Sequence, residues 1–142
     1  MQVLDLVNTT NYLFILETNG ILFGNDKDYV NSLKKYKNVY IRLCLKAGTP
    51  EGFQKRTGAL GEFFELPFLG IKNLMEANLK FHVACMNDPV LMPLDEDKKM
   101  KEKLKELNYQ DYLEEELCNP YYNSIIRLEK AGYQIIRKNQ ES

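Results

Sequence analysis

The chain has 142 residues, of which 44% are hydrophobic, and a formal net charge of −1. That size and apolar content fit one domain, 1–142, with a real core and exclude a disordered chain. The balanced charge gives no general attraction to nucleic acid or to an anionic membrane, so neither is expected as a partner.

Residues 2–8 are expected as a short helix. The first strand is predicted over Tyr12-Leu13-Phe14-Ile15-Leu16, an apolar run on both faces, closed by Glu17-Thr18-Asn19-Gly20. Short, branched and aromatic runs stopped by Asn-Gly read as strands buried on both sides of a parallel sheet. Ile21-Leu22-Phe23-Gly24 is expected as an apolar loop, and Asn25 or Asp26 as the cap of a helix reaching about Tyr36.

Residues 39–46 alternate, with Val39, Ile41, Leu43 and Leu45 on one face and Arg42, Cys44 and Lys46 on the other. That is a strand with a packing face and a face bearing reactive groups. Thr49 and Pro50 predict a helix start, Phe53 an inward anchor and Gly58 a stop. A longer helix is predicted over 62–77, with Pro67 as a kink or a later start. The third strand is Phe81-His82-Val83-Ala84-Cys85-Met86. A charged helix follows at 95–107, then a helical turn or two at 111–117, a helix from Pro120 to Ala131, and a last short strand at 133–136. Strands alternating with helices predict an α/β fold with about four mostly parallel strands and covering helices. An eight-fold barrel needs about twice that number.

No apolar run approaches the roughly 20 residues of a membrane span. The start, Met1-Gln2-Val3-Leu4-Asp5, has no basic stretch and no cleavage pattern, so no secretory signal is expected. Three widely spaced cysteines form no disulfide framework, which points to a reducing cytoplasm.

Sites in parallel α/β folds lie at the C-terminal ends of the strands. Glu17-Thr18-Asn19-Gly20, Lys46 and Met86-Asn87-Asp88 each stand at such an end. An ammonium takes a carboxylate, and an acid and amides take amine or hydroxyl protons, so the set suits a zwitterion with hydroxyl groups. A structural Glu17–Lys46 pair is the competing reading. His82 and Cys85 fall on opposite faces and cannot chelate together. His82 is expected as a satisfied core or lumen histidine, and Cys85 and Cys118 as small hydrophobes. Cys44 shares a face with two cations, which would lower its pKa.

Leu16-Glu17-Thr18-Asn19-Gly20, then Leu45-Lys46, then Phe53 with Lys55-Arg56-Thr57-Gly58, resembles the middle of radical S-adenosylmethionine proteins related to pyruvate formate-lyase activating enzymes. The resemblance covers about residues 12–90. It implies a partial (β/α) barrel with S-adenosylmethionine across the strand ends, bordered by Glu17, Thr18, Asn19 and Lys46. Those activating enzymes carry an aspartate where this chain has Cys44. Their three-cysteine cluster motif and Gly-Gly-Glu-like segment precede the Thr-Asn-Gly motif and do not occur in this sequence. The resemblance therefore implies a C-terminal portion that is inactive alone. A 4Fe-4S cluster would come from a missing N-terminal segment or a cluster-bearing partner chain, with no catalytic or metal-ligating residue here. Two further readings remain open: a non-catalytic interaction or oligomerisation module, as a homo-oligomer, and an enzyme using Cys44 as nucleophile.

Overall fold

The computed structural model describes residues 2–117 and 121–132. Four strands, β1 (Phe14–Thr18), β2 (Val39–Leu45), β3 (Phe81–Met86) and β4 (Leu113–Glu116), form one parallel sheet in sequential order. Phe14 pairs with Val39, Ile41 with Phe81 and Val83 with Leu113. The helices are α1 (Gln2–Val7), α2 (Ile21–Asn25), α3 (Lys27–Ser32), α4 (Pro50–Thr57), α5 (Glu65–Glu76), α6 (Leu94–Glu106) and α7 (Tyr122–Lys130). The chain is thus an α/β fold with an all-parallel sheet and flanking helices, the arrangement of a partial (β/α) barrel. No helix of the described residues is long and apolar enough to cross a membrane.

One face of the sheet makes the core. Ile41, Leu43 and Leu45 of β2 and Val83 and Cys85 of β3 pack with Val30 and Leu33 from the first crossover, Ile71 and Leu74 of α5, and Met100 and Leu104 of α6. All are nearly or fully buried, and each such aliphatic side chain contributes roughly 1.5–3 kcal/mol by leaving water. Strands wound in sequence carry every crossover helix on the same side. The other face is left to Ile15 and Glu17, Tyr40, Arg42 and Cys44, His82 and Ala84, and Glu114 and Glu116.

Local chemistry sets the ends. Gly20, at φ 77°, occupies a left-handed position that most side chains avoid, and α2 starts from it. α2 lies backbone to backbone on α5. A Cβ on Gly24 would run into the Leu66 carbonyl, and Asn73 Nδ2 donates to the Phe23 carbonyl at 2.8 Å. Thr49 caps α4, its hydroxyl accepting from the Gly52 N–H at 3.1 Å, and Pro50 fills the first turn. Pro67 lies in the first turn of α5, where its missing N–H leaves no intrahelical bond unmade, so it starts the helix and does not kink it.

Three expectations are corrected. β1 is not buried on both faces: it is an edge strand, and Ile15 is 58% exposed. Residues 21–25 are helical, because the Gly20 turn and the contact with α5 decide a segment with no polar face of its own. Residues 113–116, Leu-Glu-Glu-Glu, form β4 despite glutamate's helix preference. Pairing with β3 overrides propensity there. The Tyr109 hydroxyl accepts from the Val83 N–H at 2.9 Å and donates to the Tyr112 carbonyl at 2.6 Å, which holds the two strands together where the pairing begins. The strand expected at 133–136, and Cys118, lie outside the described residues.

Candidate functional site

The polar face is organised around Arg42. Its guanidinium reaches Glu17 on β1 at 3.1 Å, Glu114 on β4 at 2.9 Å, and Glu116. Nη1 also approaches the Cys44 sulfur at 3.0 Å. One residue of β2 therefore spans the sheet to both edge strands, and its pKa is raised chiefly by the hydrogen bond to Glu114. Glu114 in turn is held down to about 2, first by the Arg42 bond and then by His82.

His82 stands beside this cluster with both ring nitrogens occupied. Nε2 lies 2.7 Å from Glu114 Oε2 and Nδ1 lies 3.0 Å from the Tyr40 hydroxyl. A carboxylate only accepts, so Nε2 carries a proton toward Glu114. The ring is flanked by Tyr40 and Tyr112, with centroids 5.5 and 5.7 Å away. This is the satisfied lumen-type histidine expected from its position. A cleft of ≈ 320 Å³ opens beside it, between Tyr40, Lys80, His82 and Tyr112.

The setting of Cys44 does not activate its thiol. It is buried, and burial pushes its thiol up to about 11 against the opposing pull of Lys46 and Arg42. The expectation that neighbouring cations lower it is overturned, because loss of solvent outweighs them. Cys85 pairs in register with Leu45 on the core face, where burial pushes it up to about 12. Cys44 and Cys85 thus lie on opposite faces of the sheet. Among the described residues no three His, Cys, Asp or Glu side chains gather to hold a metal ion. The described residues do not fit an iron–sulfur cluster.

The rim is built by a buried pair behind it. Arg56 of α4 bonds Glu96 of α6, and its Nε and Nη1 donate to the carbonyls of Lys46 at 2.6 Å and Leu91 at 2.9 Å. Glu96, only 6% exposed, also accepts from the Gly48 N–H at 2.9 Å. A Cβ at Gly48 would collide with the Glu96 carbonyl, and one at Gly52 with its carboxylate. These contacts fix the backbone that carries Lys46.

The four residues singled out from sequence are placed differently from one another. Glu17 and Lys46 share the polar face, but Glu17 pairs with Arg42 and not with Lys46. Among the described residues no carboxylate lies within ion-pair distance of Lys46. Thr18 is turned to the core side with Leu43, its hydroxyl accepting from the Gly20 N–H at 3.1 Å. Asn19 Oδ1 accepts from the Ile21 N–H at 3.1 Å. Both side-chain oxygens therefore shape the turn behind Glu17. At the end of β3, Asn87 Oδ1 is buried with no hydrogen-bond partner. Sequence reasoning missed Arg42 as the hub and Glu114 and Glu116 as its partners. The period-two alternation of β2 did carry Arg42. The two glutamates were hidden by a helical reading of 111–117.

Comparison with known proteins finds no matching family model, no matching curated protein and no matching solved structure.

Proposed function

We propose that the C-terminal rim of the sheet contributes part of an S-adenosylmethionine site, as one portion of a radical S-adenosylmethionine barrel. The observation that carries the reading is the Lys46 ammonium, which meets no carboxylate among the described residues, one residue beyond β2 on the polar face, with its backbone locked by Arg56. Asn87 Oδ1, a buried acceptor without a donor, stands at the neighbouring strand end. A buried acceptor left unmatched costs about 1–3 kcal/mol, which a ligand's donor would recover.

In this reading Lys46 takes the ligand's carboxylate. Glu17, 64% exposed and held through one carboxylate oxygen by Arg42 and the Cys44 thiol, takes an amine or ribose hydroxyl with Asn87. Thr18 and Asn19 hold the turn that aims Glu17. The described cysteines do not form a 4Fe-4S site, and the electron transfer that such a cluster would supply is not assigned to this chain's described residues. The cluster then belongs to another segment or a partner chain, and this one binds without cleaving.

Titration calorimetry with S-adenosylmethionine tests the reading. The expected result is saturable binding, weakened at least tenfold by Lys46→Ala. Absence of saturable heat, or equal affinity in the variant, removes it. A second reading, an association module without catalysis, is favoured by a separate observation: the outer edge of β1 is flanked by exposed apolar side chains.

A further inference from the structure

We infer, resting on that association reading, that two copies of this chain join through the outer edges of their β1 strands, paired antiparallel into one continuous sheet. The backbone defines the edge. The Phe14 N–H donates to the Asn38 carbonyl at 2.8 Å, so Phe14, Leu16 and Thr18 turn their backbone groups toward β2. In a parallel pair the alternate residues, Ile15 and Glu17, turn theirs outward.

The stretch of chain that carries β1 is also rich in exposed apolar side chains. Of the fourteen exposed large hydrophobic residues among those described, six lie in the first 22 positions: Val3, Leu6, Tyr12, Leu13, Ile15 and Leu22. None lies between 23 and 59. Tyr12, Leu13 and Ile15 lie on β1 or directly before it, and exposed apolar side chains beside an unpaired strand edge suit a contact surface.

Charge chooses the occupant. The opposite edge is β4, Leu113-Glu114-Glu115-Glu116, and self-pairing there sets glutamates against glutamates. Lys101 also covers Glu115 at 2.6 Å, so that edge is guarded as natural sheets guard theirs. β1, Phe14-Ile15-Leu16-Glu17-Thr18, carries a single charge. Antiparallel pairing about Leu16 sets each Ile15 against the other copy's Glu17, with no like charges opposed. It also places the outward groups of Ile15 and Glu17 in two mutually hydrogen-bonded pairs. Glu17 arrives already neutralised by Arg42. A second copy therefore satisfies the edge in backbone bonds, apolar contact and charge together.

Sedimentation velocity of the full chain across a concentration series tests this. The expected species has twice the 16.6 kDa chain mass. Ile15→Lys should raise the dimer dissociation constant at least tenfold with an unchanged circular dichroism spectrum. Leu94→Lys, at an exposed site on α6, should leave it unchanged. Leu13→Lys, just outside the strand, gives the same readout should Ile15→Lys fail to fold. Hydrogen exchange at the Ile15 and Glu17 amides should slow as concentration rises. A monomer at every concentration overturns both the β1 pairing and the association reading. A dimer indifferent to Ile15→Lys and Leu13→Lys overturns the β1 pairing alone.

Discussion

The two faces of this sheet are made from the same strands, residue by residue in alternation, yet they do different work. On the core face Leu43 and Val83 are fully buried in the apolar cluster built with the crossover helices. On the other face Arg42 and His82, one strand apart, gather three glutamates, a thiol and a tyrosine. The difference follows from topology. Strands laid down in sequence send every helix to one side, so only that side receives a hydrophobic lid. Cohesion is concentrated there. The polar face is free to hold charge, because its ion pairs are partly wet and contribute little individually.

The largest test of this division is a truncation on the core face. Leu43→Ala should lower unfolding stability by about 3 kcal/mol, the range for a buried leucine with no room to relax. Arg42→Met on the neighbouring position should cost less, roughly 2 kcal/mol, because the carboxylates it leaves can turn to water. Adding Glu114→Gln and Glu116→Gln should then recover most of the Arg42→Met loss. Urea unfolding midpoints read all three. If Arg42→Met matched or exceeded Leu43→Ala, the polar face would be holding the fold, and the comparison would fail.

How far this was readable from sequence depends on which face is asked about. The core face was legible: alternation at 39–45 named Ile41, Leu43 and Leu45, and the same period set Cys85 on the face opposite His82. Thr49, Pro50 and Gly58 marked α4 because capping is local chemistry. The polar face was half legible. Arg42, Cys44 and Lys46 shared it by period two, but Arg42's partners come from β1 and β4. Glu114-Glu115-Glu116 has the composition of a helix, and only the ladder to β3 makes it extended. Placing it as a strand needed the tertiary pairing. Without it, Arg42's role does not follow. At the rim, Glu17 and Lys46 were placed correctly by strand ends. The Arg56–Glu96 pair that fixes Lys46 joins residues 40 positions apart and leaves no local signal.

The smallest effect comes from titrating the polar face, and its sign is fixed by Glu114. Arg42 and then His82 hold that carboxyl at about 2, below its ordinary 4.5. A depressed carboxyl stabilises the fold fully above the ordinary value, and that contribution fades as the solution is acidified through the folded-state value. The stability gap between the native chain and Glu114→Gln should therefore stay constant above pH 4.5, shrink below it, and close near pH 2. Leu43→Ala, by contrast, should keep a constant gap over the same range, since no proton is exchanged on the core face. Urea midpoints measured for both variants from pH 7 to pH 2 separate the two faces by pH dependence alone. A Glu114→Gln gap that is flat with pH would mean that Arg42 is satisfied by Glu116 and Glu17 without it. The hub would then join β1 and β4 through two carboxylates, not three.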